Sequence, residues 1–82
     1  MPAGEDLRTA LRLLQEGDWR AAHAIVQEDE ESRLSCWAHG IVHLTEGDVP
    51  NARYWYRRAG RPLRDGVVVQ DEVAALSAAL EA

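Results

Sequence analysis

The chain has no lysine and no phenylalanine, and Cys36 is the single cysteine among its 82 residues. One cysteine cannot form an internal disulfide, which excludes a disulfide-stabilised scaffold and favours a reducing compartment. The sequence also lacks an apolar run long enough to cross a bilayer and the basic start and apolar stretch of a signal peptide. These absences predict a cytoplasmic protein that does not engage a membrane, and the length predicts one domain, residues 1–82.

Because lysine is absent, arginine supplies all nine basic side chains, against fourteen Asp and Glu, for a formal net charge of −5. A net-acidic chain repels phosphates unless its basic residues are segregated, which argues against nucleic acid as a partner. The basic residues are partly segregated, since five lie in a stretch that contains no acid: Arg53, Arg57, Arg58, Arg61 and Arg64.

An internal repeat appears when the sequence is shifted by thirty residues. Residues 16–26, EGDWRAAHAIV, then lie over residues 46–56, EGDVPNARYWY. Self-similarity at such a period is typical of stacked helical hairpins, in which each hairpin buries one face against the next. The repeat therefore predicts two consecutive hairpins.

The Gly-Asp pair in each copy predicts where one helix ends and the next begins. Gly17 and Gly47 can end a helix in the left-handed conformation, which glycine adopts most freely. Asp18 and Asp48 follow at once, and each can cap the next helix by accepting from its free N–H groups. Pro50 lies in the first turn of the second such helix, where its missing N–H is harmless.

These features resemble the tetratricopeptide-repeat (TPR) family over roughly residues 6–62. The resemblance implies an all-α fold of two stacked TPR-like hairpins and a role in protein–protein interaction. The stretch EGDVPNARYWYRRAG also resembles one in small bacterial proteins, which implies no particular activity. The positions that match the family are the small residues Ala10 and Gly40, the alanines Ala22, Ala52 and Ala59, the aromatic position at Val26 and Tyr56, and Pro62.

Hydrophobic periodicity predicts five helices. The last of them, with its apolar stripe, is expected to cap the stack, as terminal elements of repeat arrays do. The expected hairpins cover about 4–28 and 31–59. The predicted helices cover about 4–16, 18–28, 31–46, 48–59 and 68–81, with a linker at 60–66.

The fourth predicted helix separates into an inner and an outer face at about 100° per residue. The inner face contains Val49, Ala52, Tyr56 and Ala59, with Trp55 on one flank. Outward-facing tyrosine and arginine are a composition favoured at interfaces. We expect the outer face, or else an apolar groove lined by the third helix, to bind a protein partner or a second copy in a homodimer. The candidate partner-binding residues are Tyr54, Arg57, Arg58 and Arg61; the alternative is a solvated or internally paired surface.

Histidine spacing raises a different function. His39 and His43 lie four residues apart, which places both imidazoles on one helix face within reach of one metal ion. His23 could approach from the second helix, and Tyr56 could complete a small-molecule or metal pocket between the hairpins. The alternative is that the histidines are packing elements, each satisfied by one hydrogen bond. No catalytic motif is present, so the sequence predicts neither an enzyme class nor a cofactor beyond this possible metal.

Overall fold

A computed structural model describes residues 3–82, and in this part of the chain all regular structure is helical. The all-α prediction is confirmed, and each helix lies within about two residues of its expected bounds. Met1 and Pro2, which the predicted domain includes, lie outside the described residues. None of the described helices is long and apolar enough to span a membrane. The helices are α1 (Ala3–Gln15), α2 (Trp19–Val26), α3 (Arg33–Glu46), α4 (Val49–Arg58) and α5 (Val69–Glu81).

The two Gly-Asp turns have the same geometry, as the repeat predicts. Gly17 and Gly47 have φ angles of 84° and 88°, so each leaves its helix in the left-handed region that favours glycine. Asp18 then accepts from the backbone N–H of Ala21, and Asp48 accepts from that of Asn51. The same Gly-Asp pair therefore ends one helix and starts the next in both hairpins.

The acidic segment between the hairpins delays the start of α3 relative to its expected start near residue 31. Asp29 accepts from the backbone N–H groups of Glu31 and Ser32, both at 3.1 Å, which holds the chain in a turn. Ser32 is the N-cap, since its hydroxyl accepts from the N–H of Ser35. The helix consequently begins at Arg33.

The central element is α3, which packs against each of the other four helices. The hairpins are α1–α2 and α3–α4, and α2 packs on α3 to join them. The C-terminal helix α5 lies on α1 and α3 and so covers their shared face. Since α3 is surrounded, nine consecutive residues from Ser35 to His43 are buried, including both of its histidines.

Two residues of α4 differ in burial from what the predicted inner face and flank of this helix require. Val49, expected to point inward, is the first residue of the helix and is 42% exposed. Trp55, expected on the flank, is buried and only 8% exposed, because it packs against α3. Ala52, Tyr56 and Ala59 are buried as predicted. The apolar face of α4 is thus rotated toward Trp55.

Candidate functional site

Three imidazoles meet where α2 packs on α3, and His23, His39 and His43 are hereafter called the histidine cluster. His39 and His43 are buried on α3, and His23 reaches them from α2 at a half-buried position. The ring centroids of the three pairs lie 4.9, 5.3 and 5.1 Å apart. The structure therefore brings together the three histidines that the sequence singles out.

The shortest contact in the histidine cluster joins the first hairpin to the second. Nε2 of His23 lies 3.2 Å from Nε2 of His39, so one of these nitrogens donates a proton to the other. One nitrogen of each of the three rings lies within 4.8 Å of one nitrogen of each other ring. The three nitrogens thus converge on a single small volume.

Trp55 holds the central ring in place from α4. Its indole stacks on the His39 imidazole with a centroid distance of 3.8 Å and an interplanar angle of 10°. His43 stacks on the same ring at 19°. His39 has little freedom to rotate between these neighbours, so the cluster is positioned by core packing.

A carboxylate orients the third ring. Nδ1 of His43 lies 2.7 Å from Oε1 of Glu46, one turn later on α3. In the neutral ring, the tautomer that donates Nδ1–H to this carboxylate has its lone pair on Nε2. His43 is therefore held in the tautomer that exposes Nε2 as an acceptor or a ligand.

His39 has one nitrogen without a partner. Its side chain is 3% exposed, and within the described part of the chain Nδ1 is buried with no hydrogen bond. A buried polar atom left unpaired costs about 1–3 kcal/mol. Burial, followed by the neighbouring charges of His23 and His43, lowers the pKa of His39 from 6.5 to about 4. The ring is therefore neutral near pH 7.

The lowered pKa of His39 predicts that the fold is less stable in acid. The unfolded chain protonates His39 near pH 6.5 but the folded chain only near pH 4, so the unfolded state binds more protons between these values. The free energy of unfolding should therefore fall by about 2 kcal/mol as pH drops through this window, a figure that allows for water near the half-buried His23. Urea unfolding at several pH values, with a chelator present, measures this loss.

The control for acid sensitivity is His39→Phe, which keeps an aromatic ring against Trp55 but cannot titrate. Carboxylates titrate in the same range in both proteins, so only the difference between the two pH profiles reports on His39. The variant should lose about 2 kcal/mol less than the unmodified chain over the same window. Two parallel profiles would show that His39 is not held neutral by burial.

Tyr56, predicted to line the histidine pocket, is bonded elsewhere. Its hydroxyl donates to Oε1 of Glu72 on α5 at 2.6 Å, and the indole N–H of Trp37 donates to the same oxygen at 3.2 Å. Burial and this carboxylate raise the pKa of the Tyr56 hydroxyl well above its ordinary value. The hydroxyl therefore fixes α5 to the core, and a role for Tyr56 in the histidine pocket stays a prediction.

The predicted partner-binding residues are partly engaged within the chain. Arg58 donates to the backbone oxygen of Glu30 at 2.6 Å and to the hydroxyl of Tyr54 at 3.3 Å. The guanidinium carbon of Arg61 lies 3.5 Å from the ring centroid of Trp37, a cation–π contact. Arg57 is exposed, and Tyr54 is 44% exposed. Three of the four residues, Tyr54, Arg58 and Arg61, thus have contacts within the chain, and the partner-binding role of all four stays a prediction.

A groove of about 290 Å³ opens where α1, α2, α3 and α5 meet, and it is hereafter called the acidic groove. Ser32 and Ser35 line its α3 side. The adjoining turn carries four consecutive acids, residues 28–31. The remaining lining residues are the apolar Leu7, Ile25, Val26, Leu34 and Leu80 and the acidic Asp6, Glu28 and Asp29.

Two residues of the site are not predicted from the sequence. The one local signal for Glu46 is its place three residues after His43 on the same helix. Trp55 is expected at a packing edge, because helical periodicity does not report the rotation of one helix against another. No local pattern links Glu72 to Trp37 and Tyr56, since they lie on three different helices.

Comparisons with protein-family models, with curated proteins and with solved structures found no match for this chain.

Proposed function

We propose that this chain is a small helical interaction protein that binds a basic, amphipathic segment of a protein partner in the acidic groove. The observation that carries the proposal is the combination of an apolar floor with acidic edges in one groove. Amphipathic helices bind such grooves through apolar side chains spaced three or four residues apart. Lysine or arginine between those anchors would face the acids.

The chemistry of the acidic groove selects this class of segment. Ile25, Leu34 and Leu80 are only partly buried, so they remain available to an apolar side chain. Glu28 is exposed at the edge, next to Glu30 and Glu31. Complementary charge raises the association rate and suppresses acidic competitors, while burial of apolar surface supplies affinity.

The acidic groove is favoured over the surface of Tyr54, Arg57, Arg58 and Arg61 because its half-buried apolar side chains can contact a partner without breaking a hydrogen bond or an ion pair. Arg58 and Arg61 already contact Glu30 and Trp37. Using them for a partner would require breaking these contacts first, which reduces the net gain on binding.

The test is fluorescence anisotropy with a labelled amphipathic helical peptide of leucine and lysine. Glu28→Lys places a like charge at the edge of the acidic groove and should weaken binding about tenfold. The matched control is Glu16→Lys, which lies about 15 Å from Asp6 by the rise of α1. Because the Debye length is about 8 Å at physiological salt, this control should change affinity less than about twofold.

Several results would contradict the proposal. Equal weakening by Glu28→Lys and Glu16→Lys would indicate attraction to net charge rather than a site. Equal binding of a peptide with glutamate in place of lysine would exclude charge recognition. A stable dimer in sedimentation velocity that Glu28→Lys dissociates would show that a second copy, not a partner segment, occupies the acidic groove.

A further inference from the structure

The histidine cluster presents three imidazole nitrogens to one point, from two helices of different hairpins. A tetrahedral ion with metal–nitrogen bonds of about 2.0–2.1 Å separates its nitrogen ligands by roughly 3.3–3.4 Å. Nε2 of His23 and Nε2 of His39 already lie 3.2 Å apart. These two atoms match the spacing that such an ion requires, and both become ligands once the proton that one of them donates to the other moves to Nδ1 of the same ring.

The third ligand needs a small adjustment. Since the three nitrogens lie within 4.8 Å of one another, an ion has to draw His43 closer by at most about 1.5 Å. Rotation of an imidazole about its side-chain torsions supplies a displacement of this size. His39 stays fixed by its stack on Trp55, and the exposed side chain of Glu46 can follow His43 as this ring turns, so the contact at Nδ1 is kept.

Glu46 accepts the hydrogen bond that the second ring N–H of a metal-bound histidine usually donates. Metal-bound histidines donate their second ring N–H to a carboxylate or carbonyl, which fixes the tautomer and makes the ligand nitrogen more basic. Glu46 accepts from Nδ1 of His43 at 2.7 Å and so leaves Nε2 of His43 as the donor atom for an ion.

We infer that the histidine cluster binds one divalent transition-metal ion of the Zn²⁺ class, with His23, His39 and His43 as ligands and Glu46 as the positioning residue for His43. This site is separate from the acidic groove and does not rest on the proposed function. The bound ion would connect the two hairpins, because His23 belongs to the first hairpin and the other two histidines to the second.

The donor set determines the class of ion. Three imidazoles and no oxygen ligand suit zinc, copper, iron or nickel, whereas calcium and magnesium require several oxygen ligands. His23 is half-buried, so the cluster reaches the surface at one edge. An open edge provides an entry path and a fourth position for water, the arrangement of three-histidine metal sites.

A second group of ligands shares one of these histidines. His43, Glu46 and Asp48 also bring one ligand atom each within 4.8 Å. Asp48 is already the N-cap of α4, and Glu46 is committed to Nδ1 of His43. Binding there would break both contacts, so the histidine cluster is the favoured site.

The experiment is a titration of untagged, chelator-treated protein with Co²⁺, followed by displacement with Zn²⁺. Tetrahedral Co²⁺ absorbs strongly in the visible, and the colour should disappear when Zn²⁺ replaces it. Binding should also raise the Tm, since an ion that binds only the folded chain stabilises it. Absence of both signals at micromolar metal would overturn the inference and leave the histidines as packing elements.

Three variants assign the ligands. His23→Gln changes the half-buried member and should weaken Co²⁺ binding at least about 100-fold, because two imidazoles remain. Glu46→Gln should weaken it about tenfold. The matched control is Glu16→Gln, since Glu16 is the counterpart of Glu46 thirty residues earlier, where the chain has Leu13 in place of His43. This control should bind within about twofold of the unmodified chain.

The variants also separate the two ligand groups. Each must first show the helical circular dichroism of the unmodified chain. Full Co²⁺ affinity in His23→Gln, with loss in Asp48→Asn, would assign the ion to His43, Glu46 and Asp48 and overturn the inference. Retained affinity in Asp48→Asn, with loss in His23→Gln, supports it.

Discussion

Replacing Gly40 with alanine is expected to lower the free energy of unfolding by about 2–3 kcal/mol. In an isolated helix the same change would stabilise by about 1 kcal/mol, because alanine is the better helix former. In this fold the added Cβ would lie 2.7 Å from Cε1 of Tyr56 and 3.3 Å from the backbone oxygen of Ala52. Steric overlap therefore outweighs helix propensity at this position.

The Tyr56 ring is buried and anchored, so moving it away from such a Cβ is costly. It is 1% exposed, and its hydroxyl is bonded to Glu72. Urea unfolding of Gly40→Ala, followed by circular dichroism, measures the loss of stability. A stability equal to or above that of the unmodified chain would show that α3 and α4 are farther apart than in this structure.

The internal repeat suggests the control for the Gly40 prediction. The first copy carries Ala10 and Val26 at the positions of Gly40 and Tyr56. Alanine at position 40 should therefore cost less than about 1 kcal/mol in a Tyr56→Val background, since valine leaves room for the methyl group. Equal costs in the two backgrounds would locate the strain away from Tyr56.

Replacing Glu72 with alanine should destabilise the fold by about 3 kcal/mol. The Glu72 carboxylate accepts from the hydroxyl of Tyr56 and the indole N–H of Trp37, both on largely buried side chains. Removing it leaves two donors without this acceptor, at about 1–3 kcal/mol each. It also removes a link between α5 and the pair α3–α4, so α5 should lose protection against hydrogen exchange first.

Two variants test the specificity of the Glu72 effect. Glu72→Gln keeps an amide oxygen that can accept, so it should cost about 1 kcal/mol. Asp71→Ala removes the neighbouring exposed acid from the same first turn and should cost at most about 0.5 kcal/mol. Equal costs for Glu72→Ala and Asp71→Ala would show that interaction with the helix dipole, rather than the buried hydrogen bonds, is the main contribution of Glu72.

Helix bounds were predictable because their causes are local. Gly47 and Asp48 each act within a few residues of their own position, through a left-handed φ and a capping hydrogen bond. The start of α3 was less predictable because Asp29 and Ser32 both offer capping oxygens, and the three-dimensional turn selects Ser32. Helix bounds can therefore be predicted from local sequence unless two neighbouring residues can both cap the helix.

The candidate site was predictable in part. The spacing of His39 and His43 places them on one face of α3, and the repeat brings His23 toward that face. The nitrogen contact between His23 and His39, the stack of Trp55 on His39 and the diversion of Tyr56 to Glu72 depend on how whole helices are rotated against each other. Rotation follows from the summed packing of many side chains, which no single motif records.

By itself, the amino-acid sequence determined the all-α class, the two hairpins with their repeated turns and the segregation of acidic from arginine-rich segments. These features depend on periodicity, capping and composition, which act over one or two turns of chain. The tertiary structure decided that the three histidines converge, that Arg58 and Arg61 contact the chain itself, and that α5 borders an acidic groove. Each of these outcomes joins residues far apart in sequence, and the close packing of the core selects them.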